Sequence, residues 1–147
     1  MNRLFQKEKR PKVTGSWIRG DSFAALRATG TNAHRLFSSG DAWLERFGLD
    51  LILSYKSDDA RSQVLTVLPE WAAQHRLEYR RIFGRFLPRL NEDRAAPVRL
   101  AGNAALPTEI VVEEAGMRFG LDFAAGYSPG LFIDQRANRA FLRRAGV

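Results

Sequence analysis

Residues 49–75 read LDLILSYKSDDARSQVLTVLPEWAAQH, and two different periodicities meet inside that stretch. Leu49-Asp50-Leu51-Ile52-Leu53-Ser54-Tyr55 follows Gly48, is almost wholly apolar, and is too short for a helix to stand alone, so it reads as a buried strand. From Ala60 to His75 the side chains Val64, Leu65, Leu68, Trp71, Ala72 and His75 recur at three and four residues, the spacing of an amphipathic helix. Pro69 falls inside that run and is expected to bend or divide it, because proline lacks the amide hydrogen that an inner turn needs. A strand followed by a helix places this chain among mixed α/β architectures.

Downstream, Leu77 to Leu90 carries Tyr79, Ile82, Phe83, Phe86, Leu87 and Leu90 at spacings that a helix tolerates. Gly84, Pro88 and the aromatics favour a strand interrupted by a bulge. Arg76, Arg80, Arg81, Arg85 and Arg89 interleave with Tyr79, Phe83 and Phe86, a mixture able to hold phosphates and stack on bases. The competing reading is a solvated arginine face over a buried aromatic one. Residues 91–107 read as a long loop with one extended piece at Pro97 to Leu100. Ile110-Val111-Val112-Glu113 and Met117 to Phe123 are strand-like runs joined at Glu114-Ala115-Gly116, which makes a hairpin. Its face of Met117, Phe119, Leu121 and Phe123 needs a cover. Ser128-Pro129-Gly130-Leu131 suits a type II turn, and Leu131 to Ile133 resumes an extended run. Asp134 is placed to cap a helix from Gln135 to Ala145, with Gly146 beyond its end.

Upstream, Met1 to Gly20 is basic and broken by proline and glycine, so it reads as a mobile arm. Asp21 and Ser22 are placed to cap a short helix that Gly30 ends. The 147 residues carry a net charge of +7, mostly from arginine, whose planar fork suits phosphate. Nucleic acid is therefore the favoured partner. The sequence has no cysteine, which removes disulfides, thiolate metal sites and cysteine nucleophiles together. Its two histidines, His34 and His75, lie far apart and make a poor basis for a metal site. No apolar run approaches the roughly twenty residues of a membrane helix and the start resembles no signal peptide, so the expected location is the cytoplasm, without a membrane partner. Asp58-Asp59, Glu113-Glu114 and Asp122 are given no catalytic role, since adjacent acids on a strand face opposite ways. Ser38-Ser39-Gly40-Asp41 reads as a turn, and His75 as a boundary residue of the core.

Val111-Val112-Glu113-Glu114-Ala115-Gly116-Met117-Arg118-Phe119, continued by Gly126-Tyr127-Ser128-Pro129-Gly130-Leu131-Phe132-Ile133-Asp134-Gln135-Arg136-Ala137-Asn138-Arg139, carries a resemblance. It is similar to the segment that precedes the Rossmann-like domain in class I S-adenosylmethionine-dependent methyltransferases, among them large-subunit ribosomal RNA cytosine-5 methyltransferases. Thr31 to Phe37 and the pair Gly40-Asp41 through Arg46-Phe47-Gly48 extend the likeness more weakly into the first half. This chain departs from the family in having only Ala42-Trp43-Leu44-Glu45 where relatives carry a proline-glycine pair, and it shows no complete N-terminal PUA-like domain.

The resemblance implies S-adenosylmethionine as cofactor, with Phe132, Asp134, Gln135 and Arg136 forming one wall of its pocket. Gln135 can donate and accept, and Arg136 can pair with a carboxylate or a phosphate. A Rossmann-like cofactor site also needs a strand, a glycine turn and an acid beyond it, and cytosine-5 chemistry needs a nucleophile that is usually cysteine. Neither is in this sequence, so no catalytic residue is assigned and methyl transfer is expected to need a downstream domain, a separate methyltransferase core or a homodimer partner. The expected fold is α+β, in three segments. Residues 1–20 form the basic arm, 21–107 a mixed RNA-recognition region with a central strand-helix-strand unit, and 108–147 a hairpin and helix leading into a methyltransferase domain that a truncated or split protein would lack. The RNA contacts of the RNA-recognition region are assigned to Arg76, Arg80, Arg81, Arg85 and Arg89. The alternatives are a stand-alone RNA-binding module and a structural interaction protein whose hairpin face is covered by a partner.

Overall fold

The computed structural model describes residues 15–87, 96–131 and 133–146, an α+β architecture built on a six-stranded sheet. In chain order the elements are β1 (Ser16–Trp17), α1 (Gly20–Ala28), β2 (Ala33–Ser38), β3 (Ala42–Phe47), β4 (Asp50–Tyr55), α2 (Asp58–His75), β5 (Arg81–Phe86), β6 (Val98–Gly102), β7 (Glu109–Glu114), β8 (Met117–Asp122), a 3-10 turn (Ile133–Gln135) and α3 (Arg136–Arg144). The sheet runs β1-β2-β3-β4-β5-β6 in sequential order, antiparallel except for the parallel pair β4–β5, which α2 connects. β7 and β8 form a separate hairpin. The proposed basic arm lies, apart from residues 15–20, outside the described residues.

Alternation along β4 sorts its side chains between two cores. Leu51 and Leu53 pack with Leu36, Phe37 and Leu44 against Phe23 of α1 and Val64, Leu68 and Trp71 of α2. Ile52 points the other way and joins Ala33, Phe47 and Phe83 against Val112, Leu121 and Phe123 of the hairpin and Leu131 and Ile133 beyond it. Every residue of β4 is buried, as a central strand covered on both faces requires. The hairpin face that needed a cover is thus laid on the sheet. In β2 the register shifts between Arg35 and Phe37. This bulge turns Leu36 and Phe37 together toward the helical core, while Ala33 stays with the hairpin core.

The strand-helix-strand unit and the hairpin form where the sequence places them, with local differences. α2 starts on Ser57, whose Oγ accepts from the Ala60 amide at 3.2 Å, and ends on Arg76 in the left-handed region at φ 53°. Pro69 neither ends nor divides it. That residue is exposed, so water can take up the carbonyl of Leu65. α1 follows Arg19 with no side-chain cap, so Asp21 and Ser22 lie inside it rather than before it. β2 and β3 occupy ground that the sequence left without a strand. The bulge expected at Gly84 sits instead between Ile82 and Phe83. Gly84 answers to a different need, because a Cβ there would lie 2.7 Å from Leu100 Cδ1 of the neighbouring strand. Ile133 opens a 3-10 turn rather than ending a strand.

Asp50, fully buried, meets both Arg80 and Arg81 where β4 begins. Arg81, 2% exposed, gives it a forked pair at 2.7 and 3.1 Å and spends its remaining Nη1 on the carbonyl of Leu106 at 3.0 Å. Removing one partner strands a charge in the interior. Asp50→Ala is expected to cost about 3–5 kcal/mol in urea unfolding, against about 1 kcal/mol or less for Arg80→Ala, whose side chain is more than a third exposed. Equal losses would show that the buried pair does not set this stability.

Candidate ligand cavity at the sheet edge

β1 is so short that it covers only the end of β2: Ser16 and Trp17 pair with Ser38 and Phe37, and the Ile18 amide reaches the Leu36 carbonyl at 2.7 Å. The chain then turns away into α1, leaving the first half of β2 without a strand on that side among the described residues. A cavity of about 840 Å³ opens along this edge. Ile18, Leu26, Thr29 and Thr31 form one wall, His34 and Arg35 come from β2, and Glu114, Ala115 and Met117 come from the hairpin tip. The far wall is the 3-10 turn and α3, through Ile133, Asp134, Arg136, Ala137, Ala140, Arg143 and Arg144.

Polar contacts hold these walls together. The hairpin turn places Ala115 at φ 47° and Gly116 at φ 83°, two successive left-handed residues as a type I′ turn demands. Ala115 tolerates this because its amide donates to Thr31 Oγ1 at 3.1 Å and its carbonyl accepts from Arg143. Asn32 adds two bonds to Glu113, one through its Oδ1 at 2.8 Å and one through its own amide at 2.9 Å. α3 buries no residue of its own. It is held by Arg139, which grips the buried Glu114 with a two-pronged contact at 2.9 and 2.6 Å and lies over the Phe119 ring. That contact raises the Arg139 pKa further above its already high ordinary value.

His34 is 1% exposed. Its Nδ1 lies 3.2 Å from the Arg35 carbonyl, which can only accept, so Nδ1 carries the proton and Nε2 is left with a bare lone pair. Nε2 is the one buried side-chain nitrogen or oxygen among the described residues with no hydrogen-bond partner. Burial, with Arg46 and Arg136 nearby, pushes the His34 pKa from its ordinary 6.5 down to about 4, against the opposing pull of the Arg35 carbonyl. Behind Arg35, buried Glu45 is held between Arg35 at 3.6 Å and Arg85 at 3.3 Å. Burial raises its pKa above the ordinary value, the two arginines pull it back, and Asp134 pushes it up again.

The residues expected to line a cofactor pocket separate. Asp134 and Arg136 line the cavity. Gln135 stands outside its lining, exposed, at the N-cap position of α3, and its Oε1 accepts from Asn138. Asp134 therefore does not cap α3, since it sits within the preceding 3-10 turn. Phe132 lies outside the described residues, as does Arg89.

The arginines expected to form an RNA surface do not come together as one. Arg81 is interior and committed to Asp50, which also engages Arg80. Arg85 is spent on Ser54, Glu45 and the Tyr127 carbonyl. Arg76 is exposed at the end of α2. Phe83 belongs to the hairpin core rather than to a stacking surface. The cavity's own polar set, His34, Arg35, Arg143 and Arg144, was not singled out from the sequence. The one signal was the weaker likeness over Thr31 to Phe37.

Solved structures share this fold. A Streptococcus mutans protein assigned as a SAM-dependent methyltransferase superposes with a TM-score of 0.60 and 20% identity, over 84% of this chain and 33% of its own. SMU.776, assigned as a methyltransferase and complexed with SAH, gives 0.61 and 21%, over 84% and 32%. This chain spans about a third of the length of the solved structures it matches. At that identity the likeness is one of fold. No family model matches the sequence, and no curated protein does so significantly.

The His34 shift fixes the sign of a pH effect. The folded protein keeps the ring unprotonated down to about pH 4, whereas the unfolded chain takes up a proton near 6.5, so the unfolded state binds more protons in between. Stability present at neutral pH is lost as pH falls from about 6.5 to about 4, by about 3 kcal/mol in all. Glu45, shifted upward, works the opposite way and loses its contribution as pH rises through its folded pKa. Urea midpoints measured from pH 7 to 4 should therefore fall less steeply in His34→Leu than in wild type. Parallel curves would mean that His34 takes up its proton alike in the folded and unfolded chain.

Proposed function

We propose that this chain is the RNA-facing front part of an S-adenosylmethionine-dependent RNA methyltransferase, of the kind that modifies large-subunit ribosomal RNA at cytosine carbon 5. The observation that carries the reading is the fold: 84% of the chain superposes on a third of two proteins assigned as methyltransferases, one of them complexed with SAH. The motif from Gly130 to Arg139 supports it by position, because it supplies a wall of the cavity through Asp134 and Arg136.

The residues present fit a methyl donor on one side only. Of the residues that line the cavity, Asp134 suits an ammonium and Arg136 a carboxylate. When bound, the donor supplies an electrophilic methyl group. The adenosyl half needs a glycine turn at a strand end, which these residues do not provide. Adding a nucleophile to carbon 6 of a pyrimidine also needs a group that a chain without cysteine does not offer in its usual form. The donor floor and the nucleophile therefore belong to a Rossmann-like part beyond these 147 residues, in the same polypeptide or a partner. This chain's part is to present RNA and to close one side of the donor site.

RNA contact through guanidinium groups should be salt-sensitive. Binding of a single-stranded ribosomal RNA fragment, followed by filter retention, is expected to weaken with salt along a log–log slope of about −0.7 per phosphate held. The same preparation, given labelled S-adenosylmethionine and RNA, is expected to transfer no methyl group. Salt-independent or absent RNA binding, or methyl transfer by this chain alone, would overturn the reading.

A further inference from the structure

We infer that the cavity at the sheet edge is a binding site for a nucleoside 5′-monophosphate unit, with its base against the apolar walls, a base or ribose N–H or O–H donated to His34 Nε2, and its phosphate on the arginines of α3. This deepens the RNA-recognition part of the proposed function and does not depend on the methyl-transfer part.

Three observations converge on that chemistry. The first is the bare lone pair of His34 Nε2. Leaving a buried acceptor unmet costs on the order of 1–3 kcal/mol, so a ligand that brings a donor gains more there than it would at an exposed acceptor. Exocyclic amines, imide N–H groups and the ribose 2′-hydroxyl are such donors. The second is charge. Glu114 is already neutralised by Arg139, which leaves Asp134 as the one uncommitted acid of the lining against Arg35, Arg136, Arg143 and Arg144. Arg35 leans on Glu45 and Arg143 on the Ala115 carbonyl, whereas Arg136 and Arg144 have no ion-pair or hydrogen-bond partner among the described residues. Two guanidinium groups on one helix face, a little over two turns apart along α3 and carried on long side chains, suit the oxygens of a phosphate between them. The same excess of positive charge means that the arginines of α3 favour a phosphate over the sulfonium of a methyl donor. The third is shape. A volume of about 840 Å³ lies in the range of small-molecule sites, and Leu26, Met117, Ile133 and Ala137 of its lining offer a flat ring apolar surface to lie against.

The test is calorimetric titration of the full chain with AMP, GMP, CMP and UMP, beside filter binding of a single-stranded RNA. Millimolar or tighter binding of at least one monophosphate is expected, with the nucleoside lacking phosphate about tenfold weaker or worse. The double variant Arg136→Ala/Arg144→Ala should weaken monophosphate and RNA about tenfold or more, and should flatten the RNA salt slope by about 0.7 for each phosphate no longer held. His34→Leu should weaken both ligands without changing that slope, because the ring is uncharged, and His34→Gln, which keeps an acceptor, should recover part of the affinity. The two arginines belong to a helix that buries no residue, so their variant keeps the test sound if His34→Leu fails to fold. Free monophosphates that bind while RNA does not would uphold the site, assign it to a free nucleotide and reject RNA as the partner. RNA binding that ignores all three variants would overturn the site and leave the RNA partner standing. Binding of SAH to this chain in competition with the monophosphates would overturn the site as a nucleotide site.

Discussion

The structure depends most on one carboxylate. Asp50 opens the central strand, is fully buried, and lies opposite Arg81 in the parallel register of β4 and β5. A slip of one residue would carry Arg81 to the other face of the sheet and leave Asp50 facing an apolar core. The pair therefore specifies register where hydrophobic residues alone are permissive, since Leu51, Ile52 and Leu53 would satisfy either face. The fork reaches further. Through its contact to the Leu106 carbonyl, Arg81 ties down the connection between the sheet and the hairpin, so the charge that fixes the sheet also helps aim the element that covers it.

Two-sided burial of the sheet is what creates the cavity. Helices cover one face and the hairpin the other, and at the β2 edge these two layers overhang a strand that β1 only partly completes. The gap is apolar on its sides because each layer ends in its own core residues. It is basic at α3 because that helix has no buried face to demand apolar side chains. Among its lining is an imidazole whose two nitrogens differ in kind, one committed to a backbone carbonyl and one buried without a partner.

Much of the fold was legible in the sequence, because the informative segments carry single, strong periods. The unbroken apolar run at Leu49 to Tyr55, the helical stripe from Val64 to Ala72 and the alternation from Met117 to Phe123 each allow one reading. β2 and β3 escaped because their buried polar side chains, His34 and Glu45, imitate a solvated pattern, and a bulge resets the alternation at Leu36. The arginine series misled for the reverse reason. Charge in a sequence suggests solvent, yet Arg81 and Arg85 are satisfied inside by Asp50, Glu45 and Ser54, partners that lie some thirty to forty residues away and leave no local trace. Asp134 and Arg136 lie at the cavity because their motif fixes a short stretch of backbone. His34 was passed over because a lone histidine gains meaning only when the absence of a partner can be seen.

The attachment of α3 has a dynamic consequence. A helix that docks through guanidinium contacts, with Phe141 exposed and Leu142 about half exposed, is tethered by an ion pair whose Glu114 carboxylate is buried, so mobile ions screen it far less than a surface pair. Opening is accordingly expected to be hierarchical, with the amides of α3, which buries no residue, exchanging before those of the central strands. The far wall of the cavity is thus a helix pinned by polar contacts rather than by a packed core.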